Sequence, residues 1–314
     1  MIRTVTVVFA AFLAQAAVAA PAALDAAKLR LASANAIVVD AQDGTPIYAK
    51  AADEITPIAS VTKLMTAMVV LDSQQALDEP LEVDMGDFDY LKGSRSRLGM
   101  GTTLTRNEML RLALMASENR AASSLARHYP GGLKAFVTAM NFKAASLGMT
   151  NTHYEDSTGL DPRNVSTASD LAKLVRAAAE YPLIREYSTT PSHYVEVQSG
   201  RTLGFNNSNA LVKNAEWDIQ LQKTGYIREA GRCVVMLANI ASKPMVIVLL
   251  DSIGKFTRLG DAQRVKYWLE TGEMMPAPVA RPAVLRSAPK GGASSKTAKR
   301  VQGKFAANGK SGRG

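Results

Sequence analysis

The chain has 314 residues, 47% hydrophobic and 21% charged, so it can bury the core of one large domain. The single cysteine, Cys233, excludes an internal disulfide and lies in an apolar run typical of a packed core thiol. Three scattered histidines without a His-Glu-x-x-His motif leave little for a metal site, and we expect neither a metal nor any other cofactor.

The first residues have the pattern of an export signal. Arg3 precedes an apolar stretch over residues 5–18, which ends in Ala17-Val18-Ala19. The stretch is shorter than the roughly 20 apolar residues that a transmembrane helix needs. We therefore predict a cleaved signal peptide over residues 1–19 and a mature protein in the periplasm, either free or peripherally attached to a membrane.

Two short apolar runs open the mature chain. Residues 36–40 and 46–50 flank Asp43-Gly44, which predicts a β-hairpin. A longer apolar run follows Pro57 and has helical spacing, so a buried helix is expected to begin near Ser60.

The middle of the chain is predicted to be mostly helical. Thr105-Arg106-Asn107-Glu108 has the capping-box pattern and should start a helix that ends near Ser117. Helical periodicity continues over residues 120–128, 132–147 and 169–181.

The end of the domain returns to strands. Short β-branched runs cover residues 219–227, 232–240 and 245–251, and residues 257–271 have helical periodicity. A sheet built from both chain ends, with the helical middle inserted, predicts an α/β architecture with a helical subdomain. This catalytic domain should cover residues 20–275.

Residues 276–314 form a basic tail that contains no acidic residue. Its cations number nine, so the remaining 28 lysines and arginines balance the 28 acidic residues and the whole net charge of +9 lies in the tail. Such a composition is typical of disorder. In an exported protein we expect the tail to meet anionic wall or membrane surfaces and not nucleic acid.

Ser60 and Lys63 lie three residues apart at the start of the predicted helix, on one face of its first turn. A serine hydroxyl becomes a good nucleophile when a base takes its proton, and a lysine can be that base once its pKa is lowered. The pair alone is weak evidence, because a capping serine followed by a solvated lysine is common.

Two further motifs indicate a catalytic function for this pair. Ser117-Glu118-Asn119 follows the second helix, and Lys223-Thr224-Gly225 lies in a predicted strand. Ser-x-x-Lys, Ser-x-Asn and Lys-Thr-Gly in this order are the signature of penicillin-binding proteins and serine β-lactamases. Over about residues 28–276 the chain resembles the D-alanyl-D-alanine endopeptidase branch of the low-molecular-mass penicillin-binding proteins.

The resemblance implies a fold, namely an antiparallel sheet flanked by helices with an inserted all-helical lobe. It also implies the role of each motif residue. Ser60 would be the nucleophile and Lys63 its base, while Ser117 would relay a proton to the leaving amine. Asn119 would hold Lys63 and the substrate amide, with Glu118 as a spacer.

On the strand, the resemblance implies that Lys223 keeps Lys63 neutral by its positive charge and, with Thr224, binds a substrate carboxylate. The backbone N–H groups of Ser60 and Tyr226, the residue after Gly225, would form the oxyanion hole. Peptidoglycan stem peptides and cross-links are the implied substrates, and β-lactam antibiotics the implied covalent inhibitors.

Several activities remain open. The motifs do not separate an endopeptidase that cleaves D-alanyl-diaminopimelate cross-links from a D-alanyl-D-alanine carboxypeptidase. A serine β-lactamase is less favoured, because no deacylating Glu-x-x-Leu-Asn segment is evident and residues 155–160 instead resemble the Gly-Leu loop of D,D-peptidases. A non-catalytic peptidoglycan-binding protein is a further alternative, which the retained motif side chains disfavour.

Overall fold

The computed structural model describes residues 24–198 and 200–277, so the predicted signal peptide and nearly all of the basic tail lie outside it. The strands in this part of the chain are β1 (Asn35–Asp40), β2 (Pro46–Lys50), β3 (Thr56–Pro57), β4 (Pro80–Glu82), β5 (Thr103–Thr105), β6 (Val165–Ser166), β7 (Ser192–Val197), β8 (Arg201–Asn206), β9 (Asp218–Ile227), β10 (Gly231–Ile240) and β11 (Lys243–Ser252). The α-helices are α1 (Lys63–Asp72), α2 (Arg106–Met115), α3 (Asn119–Arg127), α4 (Gly132–Ser146), α5 (Ala168–Ala179), α6 (Pro182–Thr189) and α7 (Thr257–Thr271).

One five-stranded sheet joins the two ends of the domain. Its order is β2-β1-β11-β10-β9, and the pairs are antiparallel. The pairing of β1 with β11 runs from Asn35 opposite Leu250 to Asp40 opposite Met245. The strand β9 lies at the edge of this sheet and carries Lys223, Thr224 and Gly225.

Both faces of the sheet are covered, which explains why its central strands are almost continuously apolar. Val38, Met236 and Ile247 belong to a buried cluster with Val265 and Trp268 of α7. Alternate residues on the same strands point to the opposite face, where they join the larger core formed with α1 and α5. Burying each large apolar side chain stabilises the fold by about 1.5–3 kcal/mol.

The helical lobe is organised around α1. This helix contacts α2, α3, α4 and α5, and its first eight residues are all buried. A short 3-10 turn, Ala59–Thr62, leads directly into α1 and places Ser60 just ahead of it. The predicted antiparallel sheet flanked by helices, with a helical lobe inserted in the sequence, is confirmed.

Three details differ from the sequence expectations. The hairpin β7–β8 and the helix α6 were not predicted, although Pro182 occupies the first helical position of α6. The capping box at α2 is only half formed. The Thr105 hydroxyl accepts a hydrogen bond from the Glu108 N–H at 3.2 Å, but the Glu108 carboxylate pairs with His193 Nε2 at 2.8 Å.

Helices long and apolar enough to span a bilayer are absent from the described ranges. The same ranges contain no cluster of three or more His, Cys, Asp or Glu side chains suited to a metal ion. Cys233 is buried, as expected of a packed core thiol.

Candidate active site

Ser60 and Lys63 are brought together by the 3-10 turn that precedes α1. The Lys63 side chain is fully buried, and its Nζ lies 2.9 Å from Ser60 Oγ, 2.7 Å from Asn119 Oδ1 and 2.6 Å from the carbonyl oxygen of Thr158. Ser60 itself remains partly exposed. The contacts to Asn119 and Thr158 therefore hold the lysine amine beside the serine hydroxyl, the arrangement that a nucleophile and its base require.

Burial sets the acidity of this amine. Loss of solvation lowers the pKa of Lys63 from its usual 10.5 to about 7, while the negative charges of Asp156 and Glu118 act in the opposite direction. A substantial fraction of Lys63 is thus neutral near pH 7 and able to accept the Ser60 proton. Burial, and not the charge of Lys223 that the sequence interpretation invoked, is the leading cause.

Ser117 and Glu118 lie in the turn between α2 and α3, and Asn119 is the first residue of α3. Ser117 has a φ of +60°, a strained value for a residue with a side chain, and its side chain lines the cleft. Its hydroxyl makes no hydrogen bond to any residue in the described ranges, so the expected relay from Lys63 is not a direct contact here. The Asn119 amide connects Lys63 to Ser94, donating from Nδ2 to Ser94 Oγ at 2.9 Å.

Glu118 is more than the spacer that the sequence suggested. Its side chain is buried and caps α3 by accepting a hydrogen bond from the Arg120 N–H. Burial raises the pKa of this carboxyl above its ordinary value. Because Glu118 acts on the pKa of Lys63, its charge belongs to the electrostatics of the site.

The edge strand β9 forms the opposite wall. Lys223 is fully buried and donates to the Thr224 carbonyl oxygen at 3.0 Å. Burial lowers its pKa well below 10.5, and the charges of Lys63 and Arg258 act in the same direction. The Thr224 hydroxyl donates to Ser208 Oγ at 2.7 Å. A substrate carboxylate placed beside Lys223 would favour its protonated form.

Two glycines allow the backbone to close around Ser60. A Cβ on Gly225 would lie 2.9 Å from the Ile58 carbonyl oxygen and 3.1 Å from the Ser60 nitrogen. A Cβ on Gly159, whose φ is +79°, would lie 1.9 Å from the Ala59 carbonyl oxygen. Only glycine fits both positions without moving the turn that carries Ser60.

The loop around Gly159 is held by one carboxylate. Asp156 accepts hydrogen bonds from the backbone N–H groups of Thr158, Gly159 and Asp161 at 2.6–2.9 Å. This turn aims the Thr158 carbonyl at Lys63. Glu155, in contrast, faces His153 and Arg163, so it is not placed to activate a water at Ser60.

A cleft of about 530 Å³ lies between these walls. Hydroxyls, cations and the β9 edge dominate its lining, which comprises Ser60, Lys92, Ser94, Ser117, Asn119, Leu160, Ser208, Thr224, Gly225, Tyr226, Ile227, Arg228 and Arg258. The motif residues that line the cleft are Ser60, Ser117, Asn119, Thr224 and Gly225, while Lys63, Glu118 and Lys223 are buried. Tyr226 is largely exposed, beside Arg232.

Known proteins share this arrangement of sequence and fold. The profile of the peptidase family described as D-alanyl-D-alanine carboxypeptidase matches residues 20–254. The chain is 48% identical over 270 residues to the D-alanyl-D-alanine endopeptidase of Escherichia coli K12, which covers 86% of this chain and 87% of the relative. The chain belongs to the D-alanyl-D-alanine carboxypeptidase family.

Two further comparisons support this family membership. The D-alanyl-D-alanine endopeptidase of Pseudomonas aeruginosa is 50% identical over 254 residues, 81% of this chain and 82% of that relative. The crystal structure of the Streptomyces K15 DD-transpeptidase superposes with a TM-score of 0.71 at 28% identity, covering 76% of this chain and 97% of the other. The predicted family, fold and serine-type D,D-peptidase class are confirmed.

Sequence reasoning missed several groups at this family's site. Arg258 of α7 donates from Nη1 to the Gly225 carbonyl oxygen at 3.0 Å and lines the cleft, although it follows the last motif by more than 30 residues. Ser94 and Ser208 contact the motif residues Asn119 and Thr224. The Thr158 contact uses a backbone atom, so no side-chain pattern could have revealed it.

Proposed function

We propose that the protein is a serine D,D-endopeptidase that hydrolyses D-alanyl-diaminopimelate cross-links of peptidoglycan through a Ser60 acyl-enzyme. One observation carries the proposal. The amine of the fully buried Lys63, with a pKa of about 7, contacts the hydroxyl of Ser60. The relatives at 48% and 50% identity are both named D-alanyl-D-alanine endopeptidase, which supports cross-link cleavage.

The reaction begins with proton transfer from Ser60 to neutral Lys63 as Ser60 Oγ attacks the D-alanyl carbonyl carbon. The backbone N–H groups of Ser60 and Tyr226 stabilise the oxyanion. Protonated Lys63 then passes this proton through the Ser117 hydroxyl to the leaving amine, which departs and leaves an ester on Ser60. Water attacks this ester as Lys63 takes its proton, and the proton passes to Ser60 Oγ as the peptide leaves with a free carboxyl group.

Substrate orientation falls to the other motif residues. The carboxylate next to the leaving amine binds at the Thr224 hydroxyl in the cleft, and two cations add positive charge there, Arg258 on the cleft lining and Lys223 buried behind Thr224. Asn119 holds Lys63 and the peptide amide. Both a cross-link and a D-alanyl-D-alanine terminus place a carboxylate there, so these residues do not distinguish the two substrates.

Carboxypeptidase activity is the second candidate function. It is favoured by the family's description and by relatives named D-alanyl-D-alanine carboxypeptidase, such as that of Streptomyces K15 at 30% identity over 271 residues. A β-lactamase is disfavoured because Glu155, the glutamate nearest in sequence to the expected position, pairs with His153 and Arg163 instead.

The predicted signal peptide supports a place in the periplasm, where peptidoglycan is accessible. β-Lactam antibiotics should acylate Ser60 and be released slowly. The basic tail would attach the protein peripherally to an anionic wall or membrane surface.

Two assays test the proposal. Dimeric muropeptides are incubated with the protein and followed by chromatography, and conversion to monomers is the expected result. Release of D-alanine from pentapeptides with dimers left intact would make the protein a carboxypeptidase.

Labelling by a fluorescent penicillin tests the acyl-enzyme separately. We expect Ser60→Ala to abolish labelling and Lys63→Ala to reduce it by several orders of magnitude. Ser146→Ala, an exposed serine on α4, is the matched control and should label like the wild type. Labelling that persists in Ser60→Ala would refute Ser60 as the nucleophile, and absence of labelling in the wild type would favour the non-catalytic binding protein.

A further inference from the structure

An ion pair crosses one end of the cleft. Lys92 lies on the segment between β4 and β5, and Glu229 lies in the turn between β9 and β10. Lys92 Nζ and Glu229 Oε1 are 2.5 Å apart, with 29% and 40% of the two side chains exposed. Lys92 also lines the cavity that contains Ser60. The pair thus joins the two walls at the cleft mouth and remains accessible to a ligand.

The position of the pair along β9 indicates which part of a substrate reaches it. As the edge strand, β9 offers unpaired backbone groups to an extended peptide in the cleft. The leaving side of the scissile bond lies at Lys223 and Thr224, and the reacting carbonyl lies at Ser60 beside Gly225. The acyl-donor peptide therefore continues past Ile227.

Glu229 lies in the turn that follows the end of β9 at Ile227, so it lies beyond the carbonyl site along the path of the acyl-donor peptide. That position suits the side chain of the residue just before the D-alanine. In a diaminopimelate stem this side chain ends in an ammonium and a carboxylate on one carbon. A cation and an anion held side by side are the matching arrangement.

We propose that Lys92 and Glu229 form a subsite for the zwitterionic end of the diamino-dicarboxylic residue that precedes the D-alanine. Glu229 accepts hydrogen bonds from the ligand ammonium, and Lys92 donates to the ligand carboxylate. Ligand binding thus replaces the Lys92–Glu229 ion pair by two ion pairs, one between the ligand and each side chain. This inference rests on the proposed peptidase function but not on the choice between endopeptidase and carboxypeptidase.

The test measures how tetrapeptides L-Ala-γ-D-Glu-X-D-Ala slow the acylation of the protein by fluorescent penicillin. X is meso-diaminopimelate, lysine, which keeps the ammonium alone, or norleucine, which has neither charge. We expect the wild type to bind them in that order of decreasing affinity, with about tenfold between steps, as for a charge-assisted hydrogen bond.

Two variants test which side chain of the protein binds which charge of the ligand. Glu229→Gln should weaken the diaminopimelate and lysine peptides about tenfold and spare the norleucine peptide. Lys92→Met should weaken only the diaminopimelate peptide. Glu270→Gln, which removes the carboxylate of the exposed Lys266–Glu270 pair on α7, is the matched control and should change nothing.

Equal binding of the three peptides by the wild type, or no binding of any, would overturn the subsite. So would variants that keep the wild-type ranking, including variants that merely lose thermal stability or penicillin reactivity, because the pair would then only fasten two loops. If the ranking holds while dimeric muropeptides stay intact, the endopeptidase assignment alone fails.

Discussion

Lys63 is wholly buried at the first turn of α1, and that burial determines how its protonation depends on pH. Its pKa is about 7 in the folded protein and near 10.5 when the chain is unfolded. Between these values the unfolded chain binds more protons at Lys63, so this residue makes the folded state more stable as pH rises through that window. Burying Lys63 therefore lowers the stability of the folded state at neutral pH.

Acylation by penicillin should follow the neutral fraction of Lys63. We expect the second-order rate constant to rise with pH and level off, with a midpoint near pH 7. Because the Glu118 carboxylate raises the pKa of Lys63, Glu118→Gln should move this midpoint to lower pH. Stopped-flow or gel measurements of labelling between pH 5 and pH 9 would record the shift.

Glu180→Gln, at an exposed carboxylate after α5, is the control and should leave the midpoint in place. A midpoint near pH 10 in the wild type would contradict the role of Lys63 as a base whose pKa is lowered by burial. An unchanged midpoint in Glu118→Gln would show that the buried carboxylate does not act on the lysine.

At the scale of elements, the loop that carries Gly159 packs directly on the turn that carries Ser60. We expect Gly159→Ala to lower penicillin acylation by about a hundredfold, because its Cβ would overlap the Ala59 carbonyl oxygen and displace the nucleophile. Thermal unfolding should also move to lower temperature.

Gly148→Ala separates this clash from backbone strain. Gly148 also has a positive φ, +68°, but a Cβ there would meet nothing within 4 Å. It should cost about 1–2 kcal/mol in stability and leave acylation unchanged. Equal loss of activity in both variants would rule out the steric role of Gly159.

The elements also explain how much the sequence could predict. The sequence located α1, α2 and the three long strands, because each is a run of apolar residues bounded by turn or capping residues. The hairpin β7–β8 was missed although Val195 and Val197 alternate with exposed residues. Arg258 could not be located, because only packing of α7 against the sheet brings it to Gly225.

The net charge of the protein lies outside the residues that form the candidate active site. The residues before Pro276 sum to zero formal charge, while Pro276–Gly314 carries all nine uncompensated cations. We predict that a protein ending at Met275 keeps full activity on soluble muropeptides but loses binding to isolated sacculi or anionic vesicles. Attraction of this kind is screened within about 8–10 Å at 0.15–0.1 M salt.

Pelleting at low and high salt measures this difference. The full-length protein should pellet at low salt and be released at high salt, and neutral vesicles are the control surface. Equal pelleting of the two proteins at low salt would remove any role of the tail in attachment.

The pairing of β1 with β11 also has a kinetic consequence. These strands are separated by about two hundred residues of chain, so the sheet closes through contacts of high sequence separation, which form slowly. Gly225 of β9 packs on the turn that carries Ser60, so this turn is supported only once β9 has joined the sheet. We therefore expect a partly synthesised chain to be unreactive, and reactivity toward penicillin to report that the sheet is complete.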